Sequence, residues 1–177
     1  MAHQHNTLHN RPLNARPVPE GTPPLRVLLI GCGKSKQAHA APARCLYTGS
    51  LFTAARQFAE HRQAVGLCDA WYVLSARHGV VHPSDVLYPY EATMGAKGAD
   101  ELATWRNKVD SQFRLTAGYG AWAKASGRLL LDVYAGKAYV DALPPSWAQV
   151  DGWEIREPHA GFDLPARRAA FREALGT

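Results

Sequence analysis

The stretch Leu25-Arg26-Val27-Leu28-Leu29-Ile30-Gly31-Cys32-Gly33-Lys34-Ser35-Lys36 decides the fold. Its first half is aliphatic with no polar alternation, the pattern of a parallel strand buried on both faces. Gly31 ends that strand, and a polar Gly- and Lys-bearing loop opens directly after it. Downstream, a Gly-, Ala- and Pro-rich loop runs to about Tyr47. From Ser50 to about Gln63, Leu51, Phe52, Ala55, Phe58 and Ala59 share one helical face. Trp71 to Leu74 reads as the second strand, and Ser75 to Gly98 as a long segment punctuated by Gly and Pro. Leu102, Trp105, Val109 and Phe113 recur at helical spacing, predicting a helix from about Ala99 to Lys124. Arg128 to Tyr134 is a third strand and Trp153 to Arg156 a short fourth. Asp163 caps a last helix that has Pro165 in its first turn and runs to about Leu175. Strands alternating with helices predict one α/β domain over 25–177 with a mainly parallel sheet.

The 177 residues carry a net charge of +5, and all of that excess lies in the first sixty positions. There Arg11, Arg16, Arg26, Lys34, Lys36, Arg44 and Arg56 face only Glu20 and Glu60. Such an excess attracts a polyanion, nucleic acid or a phosphorylated metabolite. Residues 1–24 hold five of the twelve prolines and almost no large apolar groups, so they read as a disordered tail. The chain has no run of about 18 apolar residues and no apolar leader at its start, which predicts a cytoplasmic protein without membrane contact. Cys32, Cys45 and Cys68 form no CxxC spacing, so neither a disulfide framework nor a structural zinc site is indicated.

Three unusual segments begin at the ends of predicted strands: Gly31–Lys36, Ser75–Glu91 and Tyr134–Tyr139. In an open parallel sheet the carboxyl ends share one edge, where ligands bind. The first segment contains Gly33-Lys34-Ser35 but is no P-loop, because the glycine required five residues earlier is Leu28. Its glycines and lysines instead suit a single phosphate or carboxylate. Cys32 is read either as a nucleophile beside Lys34 and Lys36 or as a small half-buried residue. Tyr47 lies outside the helix and either stacks on a flat ligand or packs. The densest segment holds Arg77, His78, His82, Asp85, Glu91, Tyr88 and Tyr90. A run of this length without regular structure is usually functional. Asp85 and Glu91 suit acid–base or electrostatic work, or else capping. His78 and His82 lack a third ligand at metal spacing, so no metal or other cofactor is expected. The last loop offers Gly136 for a tight turn and Tyr139 facing the crevice or closing the core.

The run LSARHGVVHPSDVLYPYEATMG resembles the signature of the peroxide-stress YaaA family. GCGKSK, LYTGSLF and LSARHG together are similar to a small bacterial and phage family of uncharacterised domains. More distantly, the chain resembles the core domain of archaeosine synthase, which carries a cysteine-serine-lysine motif after its first strand. These resemblances span roughly residues 26 to 143. They imply a three-layer α/β/α fold of the uracil-DNA glycosylase kind and a nucleobase-directed function, although that family's glutamine-aspartate-proline-tyrosine motif is missing here. The reading is a monomeric N-glycosidase excising a modified base from DNA, in repair or in defence against phages with decorated bases. Asp85, Glu91 and His78 are its expected catalytic residues. Gly31, Cys32, Gly33, Lys34, Ser35, Lys36, Tyr47, Ser75, Arg77, Tyr88, Tyr90, Gly136 and Tyr139 are expected to bind substrate. The alternatives are a non-catalytic DNA-binding stress protein and an enzyme acting on nucleotides or tRNA bases.

Overall fold

A computed structural model describes residues 21–118 and 128–176. The chain runs through β1 (Leu25–Gly31), β2 (Ala41–Pro42), α1 (Ala43–Leu46), α2 (Ser50–Ala64), β3 (Ala70–Ser75), β4 (Gly79–Val81) and β5 (Val86–Leu87). A 3-10 turn at Met94–Ala96 leads to α3 (Ala99–Phe113), which continues as a π-turn over Arg114–Gly118. Then come β6 (Leu129–Tyr134), α4 (Lys137–Val140), a 3-10 turn at Pro145–Gln149, β7 (Trp153–Arg156) and α5 (Leu164–Leu175).

The main sheet has the order β4-β3-β1-β6-β7. β1 pairs in parallel with β3 (Ile30 against Val73) and with β6 (Ile30 against Tyr134), and β6 pairs in parallel with β7. Only the edge strand β4 is antiparallel, folding back on β3 with Ser75 opposite Gly79. The fold is therefore mixed α/β with a mainly parallel five-stranded sheet. Leaving β1, the chain builds first to one side and then returns to the other. β1 and β6 thus form a switch point, with a crevice expected at their carboxyl ends. Gly31 lets those ends close up, since a side chain there would meet Ala135 Cα at 3.2 Å.

Continuous aliphatic strands need cover on both faces, and they have it. Val27 and Leu29 of β1 join Leu131 and Val133 beneath Trp105, Val109 and Phe113 of α3. The alternate residues Leu28 and Ile30 pack with Phe52, Ala55 and Phe58 of α2 and Phe171 of α5. Asp163 caps α5 as expected, its carboxylate accepting from Ala166 N at 2.8 Å. Neither Thr48 nor Ser50 caps α2, whose first turn starts at Gly49 without a side-chain bond. Asp132, buried in β6, takes a two-pronged bond from Arg156 of β7 at 2.7 and 2.9 Å.

The segment 75–98, read as irregular, in fact carries β4, β5 and a 3-10 turn. β5 pairs antiparallel with β2, Pro42 opposite Val86, in a two-residue ladder too short to show any periodicity. The helix expected to reach Lys124 is regular only to Phe113; positions 119–124 lie outside the described residues, as does the tail up to residue 20. No helix among the described residues is long and apolar enough to cross a membrane.

Gly79 turns the chain from β3 into β4 with φ at +77°, and a Cβ there would collide with the Gln112 side chain. That glutamine holds the turn by accepting from Val80 N at 2.9 Å and donating to His78 O at 2.9 Å. Gly79→Ala is therefore expected to cost about 2 kcal/mol or more, combining left-handed strain with a displaced glutamine. Thermal unfolding of the variant checks this, and an unchanged midpoint would contradict it.

Candidate functional site

The carboxyl ends of β1, β3 and β6 meet at one edge, and a hydroxyl cluster ties them together. Cys32 follows β1, Ser75 ends β3, and Tyr139 sits on α4 just beyond β6. Ser75 Oγ accepts the backbone N–H groups of Arg77 and His78 at 3.2 and 2.9 Å. With both lone pairs engaged, its own proton is donated to Tyr90 Oη, 2.6 Å away. Tyr90 Oη donates to Cys32 Sγ at 3.7 Å, which leaves Tyr47 Oη, at 2.8 Å, to donate to Tyr90. Tyr139 Oη reaches the same sulfur at 3.1 Å. Burial raises the Tyr47 hydroxyl to about 12, and Tyr90 and Tyr139 are also pushed up, by burial first and the Cys32 sulfur second. All three hydroxyls therefore stay protonated near neutrality and act as donors.

The cluster fixes the ring of Tyr90, and cations gather over it. Lys36 Nζ lies 4.5 Å from the ring centroid and the Arg77 guanidinium 5.9 Å. Lys36 is anchored by donating to Lys34 O at 2.9 Å. The loop that carries it is pinned by Gln37 N to Leu46 O and by Thr48 N to Ser35 O. Trp105 Nε1 donates to Ser75 O at 2.9 Å, so α3 braces the end of β3. A rigid aromatic floor beneath ammonium and guanidinium groups is suited to an anionic ligand.

His78 meets the edge of Tyr90 at 4.8 Å, and its Nε2 is buried without a hydrogen-bond partner among the described residues. Its pKa is lowered, by burial first and then by Arg77 and Lys108, so it is a neutral imidazole at pH 7. His159 is likewise lowered, by burial and Arg167. Both groups bind protons less well folded than unfolded, so stability is full above about pH 6.5 and falls as pH drops toward the lower folded values. The thermal midpoint is expected to decline below pH 6.5, and His78→Gln to flatten that decline. A midpoint unaffected by pH in that range would contradict this account.

The structure thus gathers Cys32, Lys36, Tyr47, Ser75, Arg77, His78, Tyr90 and Tyr139. Gly31 packs against Ala135, Gly33 lies beside Tyr47 and Phe52, and Gly136 caps α4. Lys34 and Ser35 are exposed on the loop. Tyr47 and Tyr90 are only 3% and 6% exposed, so neither offers a free face for stacking. Tyr88, at 78% exposure, does. Asp85 is engaged elsewhere: its carboxylate accepts from His82 N at 3.0 Å and closes the turn before β5. His82 accepts at Nδ1 from Ser84 N, within the same turn. Glu91 is exposed and has no hydrogen-bond or ion-pair partner among the described residues. No group of three His, Cys, Asp or Glu converges to hold a metal among the described residues.

The web from Cys32 to Tyr139 leaves one signal in the sequence, that both residues lie just past strand ends. A family model described as a family of unknown function, DUF6884, matches residues 27–173. The chain belongs to the DUF6884 family. The DUF6884 match begins inside β1 and ends within α5, so it takes in the whole sheet, its covering helices and the cluster. No curated protein matches the chain.

Proposed function

We propose that this DUF6884 protein is an N-glycosidase that releases a modified nucleobase from DNA. The observation that carries the reading is the switch-point edge itself. Lys36 and Arg77 lie over Tyr90, and the carboxylate of Glu91, unpaired among the described residues, follows in the next residue. Lys34, Lys36 and Arg77 hold backbone phosphates. Tyr88, free of the core, stacks against a base flanking the one drawn out of the duplex. The bond from C1′ to the base nitrogen breaks, and the base leaves with the bonding electrons while positive charge develops on the sugar. Glu91 stabilises that charge and orients the water that adds to C1′. The departing nitrogen, steadied by a hydrogen bond from neutral His78 or from Lys34, takes its proton from solvent. The water's second proton passes to solvent, and an abasic site remains. Helices on both faces of the sheet agree with the three-layer, uracil-DNA-glycosylase-like fold that belongs to this reading.

DNA binding without catalysis is the second reading, favoured by the outward placement of Asp85 and Glu91. Incubation with plain, uracil-containing, hydroxymethylated and glucosylated DNA, followed by alkali, separates the two. Strand breaks on one substrate, with no metal or nucleotide added, support excision; bound but intact DNA throughout supports the binding module. Tyr88→Ala is expected to weaken DNA association about tenfold, the loss of one stacked ring, without unfolding the protein. Band-shift titration measures this, and unchanged affinity would remove Tyr88 from the site.

A further inference from the structure

We propose that the cleft between the carboxyl ends of β6 and β7 is a base pocket selecting an amino-bearing nucleobase, such as cytosine, over uracil or thymine. This rests on the N-glycosidase reading and names the substrate class of that site. The cleft encloses about 290 Å³, at the small end for ligand sites, which limits its occupant to a single ring system. Its apolar walls come from Val133 of β6, Ala135 just after it, Val140 of α4 and Ala160 beyond β7. α4 is the partition between this cleft and the hydroxyl cluster. Lys137, Val140 and Asp141, at helical spacing, line the cleft, whereas Tyr139 bonds to Cys32. A base entering here therefore lies beside the cationic rim that holds the phosphates.

Two charged groups in the cleft, Arg167 and Glu157, make no ion pair among the described residues. Lys137 and Asp141 neutralise each other at 2.7 Å. Arg167 makes no ion pair among the described residues; it is pinned by donating from Nη1 to Ala135 O at 2.6 Å and from Nε to Phe162 O at 3.0 Å. The Glu157 carboxylate makes no hydrogen bond or ion pair among the described residues either, and only the more distant charge of Lys137, already held by Asp141, acts on it. A fixed guanidinium donates to a ring acceptor or carbonyl, and a carboxylate accepts from an exocyclic amine. Cytosine, guanine and adenine all present that combination, and uracil and thymine do not. Uracil sets a carbonyl where cytosine has its amine, placing two acceptors face to face with Glu157.

The test is calorimetric titration of the full chain with free cytosine and free uracil, which differ in the 4-substituent and in N3, an acceptor in cytosine and an N–H donor in uracil. Cytosine is expected to bind about tenfold more tightly, the scale of one base-edge contact. Glu157→Gln is expected to erase the difference, because the amide serves either base, with an unchanged thermal midpoint. Equal binding of the two bases, no binding of either, or undiminished discrimination in Glu157→Gln would overturn the pocket. The same preparation is run on the DNA panel. Excision without cytosine selectivity removes the pocket alone. Cytosine selectivity with every DNA left intact upholds the pocket and removes the glycosidase.

Discussion

Glu91→Gln is expected to slow base release from DNA by about a hundredfold or more while leaving the protein folded. The magnitude follows from removing a charge that acts only on the developing sugar cation, an effect on the order of 3 kcal/mol in the transition state. Because the glutamine keeps the shape, DNA affinity should stay within a few-fold and the loss should fall on kcat. Folding should be untouched, since Glu91 is exposed and partnerless among the described residues. Asp85→Asn is the matched control. An asparagine oxygen still accepts from His82 N and keeps the turn closed, so activity close to that of the parent is expected. Single-turnover release rates measure both variants. Equal losses in the two, or none in Glu91→Gln, would remove Glu91 from the chemistry.

Ser75→Ala is expected to destabilise the protein by about 2–3 kcal/mol, although it deletes a single atom. Ser75 is fully buried and its oxygen serves three partners at once, Arg77 N, His78 N and Tyr90 Oη. Their replacement by a methyl-sized group leaves donors and an acceptor unmet where water enters poorly. For a chain of this size the thermal midpoint should drop by roughly 5–10 °C. Tyr90→Phe breaks the same web from its centre, so the double variant should cost clearly less than the sum of the two singles. Denaturant unfolding of the four proteins measures the coupling; strict additivity would mean that the hydroxyls are not one network.

Much of the scaffold was legible because long elements advertise their period. Leu25–Ile30 announced a doubly buried strand, and Trp105, Val109 and Phe113 announced the helix over one sheet face. Asp163 with Pro165 announced the last helix. What stayed hidden was either short or long-range. The pairing of Ala41–Pro42 with Val86–Leu87 is two residues long, below what alternation can reveal. The Cys32–Tyr139 contact spans 107 positions and exists only once β1 and β6 are neighbours. The role of Asp85 was open to reading in one respect: His82-Pro83-Ser84-Asp85 has turn composition, and an aspartate in a turn commonly bonds its own backbone. Burial divided the tyrosines. Tyr88 faces out and Tyr90 in, on either side of Pro89, a distinction that composition does not carry.

The most direct measurement of the central claim is mass-spectrometric detection of free base released from DNA by the full chain, in buffer with no added metal or nucleotide. The DNA panel includes hydroxymethylated and glucosylated substrates, and wild type is compared with Glu91→Gln. The expected result is one released base in stoichiometry with abasic sites, reduced about a hundredfold in the variant. DNA that is bound by the wild-type protein yet yields no free base from any substrate would contradict the account and leave a binding module.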